Sequence, residues 1–194
     1  MIEKLHKSFI IVREIKIIKK EKEDMKNFIK DWVIPSLIAL VIALLINRFI
    51  FQLVEVPTGS MISTIMPGDR LYVNKIFNVK NAERGDILVF DSKELGKYLV
   101  KRLIGLPGDK VEINSEGEVF INGKKLDEPY VIKSTGEQLE QTFDVPEDCY
   151  FFLGDNRPQS QDARSWEQPY INKKYIKGEA LFRLFPLNKM GKLK

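Results

Sequence analysis

Between Trp32 and Ile46 the chain carries no charge: Trp32-Val-Ile-Pro-Ser-Leu-Ile-Ala-Leu-Val-Ile-Ala-Leu-Leu-Ile46. Asn47 and Arg48 follow, then a second apolar patch, Phe49-Ile-Phe-Gln-Leu-Val54. About 20 helical residues are needed to cross a hydrocarbon core of about 30 Å. The stretch 32–51 supplies them if Arg48 extends its guanidinium to the interface. Pro35 lies in the first turn, where its missing N–H costs little. A buried core helix is the alternative, but so long an uncharged run beside basic residues is rare in soluble cores. A cleaved signal peptide fits worse, because the charged leader is long and no small-residue cleavage site follows. The segment reads as an uncleaved anchor in a lipid bilayer.

Residues 1–31 hold nine Lys/Arg against six Asp/Glu, and beyond the span few basic residues occur before Arg70. That asymmetry predicts a basic cytoplasmic tail over 1–31, a transmembrane helix over 32–51 and an extracytoplasmic domain over 55–194. The tail has a weakly amphipathic pattern (Phe9, Ile10, Ile11, Ile15, Ile17, Ile18) with no function attached to it.

Composition removes several chemistries. The chain has one His, His6, and one Cys, Cys149. A Ser-His-Asp triad, a Cys-His pair and a metal site of several His or Cys are therefore excluded as expectations. Cys149 reads as core packing. A net charge of +4 gives nucleic-acid binding little support.

The outer domain reads as mainly β. Gly-Asp recurs at 68–69, 85–86, 108–109 and 154–155. The first three are followed by the strand-like runs Leu71–Val73, Ile87–Phe90 and Val111–Ile113. Asn114–Gly117 leading into Glu118–Gly123 reads as a hairpin. Cys149–Leu153 reads as a buried strand, and Ile176–Phe185 as a late strand with a Gly inside. No long amphipathic helix is expected beyond residue 55.

Three segments can carry chemistry. Thr58-Gly-Ser60-Met61 follows the span, and a Ser on a tight Gly turn can present a hydroxyl beside free backbone N–H groups. Read alone, this is as well explained as an ordinary turn. In Tyr98-Leu-Val-Lys-Arg-Leu-Ile104, alternation puts Leu99, Lys101 and Leu103 on one face and Val100, Arg102 and Ile104 on the other. Such a lysine is either an edge residue whose amine reaches water or a desolvated general base. A free lysine, pKa about 10.4, is neutral in only about one molecule in 2,500 at pH 7, and burial can lower that pKa by roughly 3–5 units. Without a usable His, Ser plus Lys is the nucleophile–base pair this chain can still build. The loop Gly154-Asp-Asn-Arg-Pro-Gln-Ser-Gln-Asp-Ala-Arg164 is either solvated or a set of paired charges bracing a site.

In order and spacing, these segments resemble the sequence boxes of type I signal peptidases, the bacterial membrane-bound serine proteases that remove signal peptides from exported preproteins. The boxes are Thr58-Gly-Ser60-Met61, Gly85-Asp-Ile-Leu-Val-Phe90, Tyr98-Leu-Val-Lys101 through Gly108-Asp109, and Gly154-Asp-Asn-Arg157 with Ser160, Asp162 and Arg164. The resemblance covers about residues 30–186 and is closest to the short, single-span form common in Gram-positive bacteria. It implies an antiparallel fold of two coiled sheets with a small inserted subdomain around 109–148. It also implies Ser60 as nucleophile, Lys101 as general base, and an oxyanion hole of the Ser60 N–H and the Thr58 hydroxyl. Ser160 would orient the lysine amine, Asp162 would pair with Arg164, and Asp155 with Arg102. No metal or cofactor is implied. The partners implied are preprotein signal peptides, cut after small residues in an Ala-x-Ala-like pattern.

The chain departs from the family pattern in places. Ser63-Thr64 stands where the family usually has Pro-Thr, Ala163 where it has Ser, and Glu167 near an expected Gly. None of these touches the implied nucleophile, base or oxyanion donors, so activity is expected. The apolar residues Phe49, Phe51, Met61, Ile62, Ile65 and Met66 suit either a membrane interface or an ordinary core. A Ser-x-x-Lys enzyme is excluded because position 63 is Ser. Self-cleaving cytoplasmic repressors share the dyad but need a DNA-binding motif and no span. A catalytically silent, membrane-anchored β domain that binds exported proteins is the alternative from another class. Lys101 on an apolar strand face argues against it.

Overall fold

The computed structural model describes residue 16 and residues 18–193. The expectations for His6 and for the tail through Ile15 lie outside the described residues. One helix runs over Ile18–Phe49 and is long and apolar enough to cross a membrane. A short π segment, Ile29–Val33, leads into the α-helix α1, Ile34–Phe49. Thirty-two residues span roughly 48 Å as a helix. The apolar side chains of α1 are exposed on every side, as suits a helix whose solvent is hydrocarbon. The helix stops at Phe49. Phe51, expected inside it, instead opens the first strand.

From there the chain is antiparallel β structure. The large sheet contains β1 (Phe51–Glu55), β2 (Arg70–Asn74), β3 (Ile87–Ser92), β4 (Lys97–Gly105), β9 (Cys149–Leu153), β10 (Tyr170–Asn172), β11 (Ile176–Phe185) and β12 (Gly191–Lys192). Its order is β1-β2-β11-β3-β4-β9-β10, with β12 paired to β11. A second sheet, ordered β7-β6-β5-β8, is built from β5 (Lys110–Ile113), β6 (Val119–Ile121), β7 (Lys124–Lys125) and β8 (Gln141–Asp144). The Asn114–Gly117 turn closes the β5–β6 hairpin.

Two cores explain the strand sequences. Leu88 and Phe90 enter one core with Leu103, Val111, Val119 and Phe151–Leu153. Ile87 and Val89 enter the other with Met61, Ile65, Leu71 and Val73. A strand covered on both faces needs a continuous apolar run, and Ile87-Leu-Val-Phe90 is one. The second core also settles two of the ambiguous apolar residues. Met61 and Ile65 are fully buried there, so they are core and not interface. Late in the chain Gly178 is obligatory, because a Cβ would stand 2.3 Å from the Asn74 carbonyl oxygen across the β11–β2 pair.

β4 lies between β3 and β9. Lys101 pairs opposite Leu88 and Arg102 opposite Ile87, so the two cations take opposite faces. Both are buried. Alternation anticipated one cation among apolar neighbours. Because both faces of β4 are covered, there are two, and each must find partners.

Candidate active site

Ser60 sits one turn beyond the β1 edge strand. Val56 N–H donates to the Asp69 carbonyl and Gly68 N–H to the Val56 carbonyl, which closes the loop between β1 and β2. Within that loop Ile62 N–H reaches back to the Gly59 carbonyl and Ile65 N–H to the Met61 carbonyl. The anchors Met61 and Ile65 then fix the orientation of Ser60, which is 8% exposed. The Thr58 and Ser60 hydroxyl oxygens are 3.5 Å apart.

The loop after β9 backs Ser60. Asn156 N–H donates to the Ser60 carbonyl at 3.1 Å, and Asn156 Nδ2 donates to the Gly59 carbonyl at 3.0 Å. Gly154, the first residue of this loop, lies between Ser160 and the Ser60 carbonyl. A Cβ there would stand 2.1 Å from Ser160 Oγ and 2.5 Å from the Ser60 carbonyl oxygen. Ser60 and Ser160 therefore close on the same point, and only glycine fits at it.

Lys101 Nζ donates to Ser160 Oγ at 3.0 Å, and the Ser160 hydroxyl in turn hydrogen-bonds Asp162. Lys101 is 2% exposed. Burial pulls its pKa down to about 8; the Asp162 carboxylate opposes this and the Arg164 guanidinium adds to it. Roughly one molecule in ten is then neutral at pH 7, some hundreds of times the fraction for a free lysine. Asp162 is fully buried. Burial alone would raise its pKa, but the hydrogen bonds and charge of Arg164, with the Gly154 N–H, hold it below the usual carboxylate range. Arg164 binds it through two bonds, Nε–Oδ1 at 2.8 Å and Nη2–Oδ2 at 2.9 Å.

On the other face of β4, Arg102 pairs with Asp155 through Nε–Oδ1 at 2.9 Å and Nη2–Oδ2 at 2.7 Å. Both are almost wholly buried. A two-point Arg–carboxylate pair is among the stronger charged contacts, and removing one partner of such a buried pair costs about 3–5 kcal/mol. Arg102 also donates to the Gly85 carbonyl and to Thr64 Oγ1. Thr64 Oγ1 donates to Asp155 Oδ2 at 2.5 Å. Arg183 pairs with buried Asp69 at 2.7 Å and bonds the Thr64 carbonyl.

The structure thus brings Ser60, Lys101, Ser160, Asp162 and Arg164 around Gly154, with Thr58 beside Ser60 and the Arg102–Asp155 pair on the far face of β4. The sequence profile of the family described as "Signal peptidase, peptidase S26" matches residues 29–185. The chain belongs to that family. A signal peptidase I of Bacillus licheniformis is 39% identical over 183 residues, covering 89% of this chain and 97% of that one. Signal peptidase I S of Bacillus subtilis strain 168 is 37% identical over 185 residues, covering 90% and 98%. A crystal structure of a signal peptidase I from Enterococcus faecalis V583 is 35% identical and covers 53% of this chain and 98% of that chain, with a TM-score of 0.45. The chain is accordingly a hydrolase, a serine endopeptidase.

Some site residues carried no assignment from sequence. Gly154 and Asn156 lie within a recognised box, but their contacts with residues 59 and 60 bridge a gap of over ninety positions. Thr64 had only its place in the Ser63-Thr64 pair, and Arg183 had no local signal. Ser63, where the family usually has Pro, donates through Oγ to the Tyr130 carbonyl at 3.2 Å. Ala163 is buried at the core, where a hydroxyl would need its own partner. Glu167 has its N–H bonded to Glu94 Oε1 at 3.2 Å.

Proposed function

We propose that this chain removes N-terminal signal peptides from exported preproteins by acyl transfer, with Ser60 as nucleophile and Lys101 as general base. The observation that carries the reading is a buried lysine, its pKa pulled to about 8, held by Ser160 beside the turn that presents Ser60. Neutral Lys101 takes the Ser60 proton as Oγ attacks the scissile carbonyl. The oxyanion is stabilised by the Ser60 N–H and the Thr58 hydroxyl. Lys101 then gives its proton to the leaving amine, takes one from water, and the hydroxide so formed releases the acyl group. No metal or cofactor enters these steps.

Ser160 is the positioning group for the amine. The Asp162–Arg164 pair holds Ser160 and the Gly154 N–H in place, and the Arg102–Asp155 pair stiffens the opposite face. Substrate binds extended, by strand addition beside the site. In support of this, β1 is an edge strand leading directly into Thr58–Ser60. Small residues at positions −1 and −3 are the expected preference, because signal-peptide cleavage sites carry them.

The membrane arrangement belongs to the same proposal. Residues 1–31 are a cytoplasmic tail, the helix from Trp32 to Phe49 spans the bilayer, and 55–194 form the extracytoplasmic catalytic domain, with the segment around 109–148 as its inserted subdomain. Basic residues before the span and the exposed apolar helix support this topology.

The test is incubation of a labelled preprotein with the full chain in detergent, followed by N-terminal sequencing of the product. The parent should cut once, after a small residue. Ser60→Ala and Lys101→Ala should each abolish cleavage while the fold survives, and the double variant should lose no more, because the two groups act as a unit. Substantial cleavage by Ser60→Ala would remove the serine mechanism.

A further inference from the structure

The segment Glu128–Ile132 leaves the small sheet after β7 and joins no strand of either sheet. It is nevertheless fastened on one side to the loop that backs Ser60 and on the other to the loop that carries it. Ile132 N–H donates to the Asp155 carbonyl at 2.8 Å, and Arg157 N–H donates to the Ile132 carbonyl at 3.1 Å. These two bonds make a parallel bridge across Asn156, the residue whose own N–H holds the Ser60 carbonyl. On the other side, Ser63 Oγ donates to the Tyr130 carbonyl at 3.2 Å. Two side chains add to the fastening. Glu128 pairs with Arg157 at 2.5 Å, both largely buried. The ring of Tyr130 lies over the Arg102 guanidinium, 3.7 Å from its centre.

The Arg102 contact is chemically specific. Nε, Nη1 and Nη2 all donate in the guanidinium plane, to Asp155, Gly85 and Thr64. The face of the cation is what the ring covers, and a desolvated cation on an aromatic face is held more strongly than one at the surface. Arg102 so capped fixes Asp155 and Thr64. Asp155 continues into Asn156, and Thr64 lies four residues after Ser60 in the same β1–β2 loop.

We propose that Glu128–Ile132 is a positioning strap for the nucleophile, with the Tyr130 ring on Arg102 as its principal contact. The strap acts through Asp155–Arg157 and Ser63–Thr64, setting where the Ser60 carbonyl, and with it Oγ, stands relative to Lys101. Ser63, one of the chain's departures from the family pattern, serves as an outer fastening of this strap. The role rests on the Ser60/Lys101 reading above.

The experiment measures kcat and KM for preprotein cleavage by the full chain in detergent, well below each variant's thermal midpoint. Tyr130→Leu keeps apolar bulk and removes the aromatic face. It should lower kcat by about ten- to a hundredfold with KM within about twofold of the parent, because a small misplacement costs rate and not binding. Tyr130→Phe keeps the face and should restore kcat to within about twofold. Parental kcat in Tyr130→Leu overturns the strap, as does equal loss in Tyr130→Phe or an effect confined to KM. If Tyr130→Leu does not fold, Ser63→Ala and Glu128→Gln take its place. Each should lower kcat severalfold, and parental kcat in both overturns the proposal. Ser60→Ala and Lys101→Ala judge the dyad separately, because every strap variant keeps both residues.

Discussion

At the scale of single residues, Lys101 is the group on which physics and chemistry meet. Its folded pKa of about 8 lies below the free value of about 10.4, so between those two pH values the unfolded chain binds more protons than the folded one. Stability therefore rises with pH across that window, and below pH 8 the full penalty applies. The shift corresponds to about 3 kcal/mol. Replacing Lys101 with Met removes it, so Lys101→Met should gain stability over the parent at pH 7, and the gain should shrink as pH rises from about 8 to 10.4. Denaturant unfolding at several pH values measures this, and a pH-independent difference would contradict the desolvated amine. The sequence made Lys101 a candidate through its apolar neighbours Leu99 and Leu103. It left open whether the amine reached water, because alternation assigns a face but cannot say that β3 and β9 flank β4 and that both of its faces are covered. Arg102 shows the same limit. The resemblance implied Asp155, 53 positions away, as its partner, but only the structure shows that the pair is buried.

At the scale of elements, the Gly-Asp turns and the runs after them were legible, since turn chemistry and apolar alternation are local. The junction at residue 50 was not. Phe49-Ile-Phe-Gln-Leu-Val54 suits a membrane helix and a strand equally by composition, and only the pairing of Phe51–Glu55 with β2 decides where the helix ends. Close approaches were equally hidden. Gly154 sits in a recognisable box, but its reason is spatial: its Cα packs against both Ser160 and the Ser60 carbonyl. Gly154→Ala should therefore leave a folded protein, with kcat reduced at least about a hundredfold by displacement of Ser160 or Ser60. Circular dichroism with single-turnover cleavage checks this, and parental kcat in a folded Gly154→Ala would mean that the loop does not set the site.

At the scale of the whole molecule, an exposed apolar helix precedes a β domain that holds every site residue. The charge asymmetry around the span predicts that protease added to intact spheroplasts digests the domain and spares residues 1–30. The reverse pattern would invert the topology and remove access to exported substrates. Within the domain, three segments distant in sequence, 58–64, 101–102 and 154–164, have to converge before a lysine can act as a base at neutral pH. The decisive measurement is kcat/KM against pH for a substrate without titratable groups near its cleavage site, taken for the parent and for Leu103→Ser. Leu103 is fully buried in the core against which Lys101 lies. The parent should show one acid limb with a pKa of about 8, the value for the free enzyme's Lys101, and water admitted by Leu103→Ser should move that limb to higher pH. A profile level from about pH 6 to 9, a limb at the free-lysine value of about 10.4, or a Leu103→Ser curve that overlays the parent's would contradict a desolvated lysine as the base.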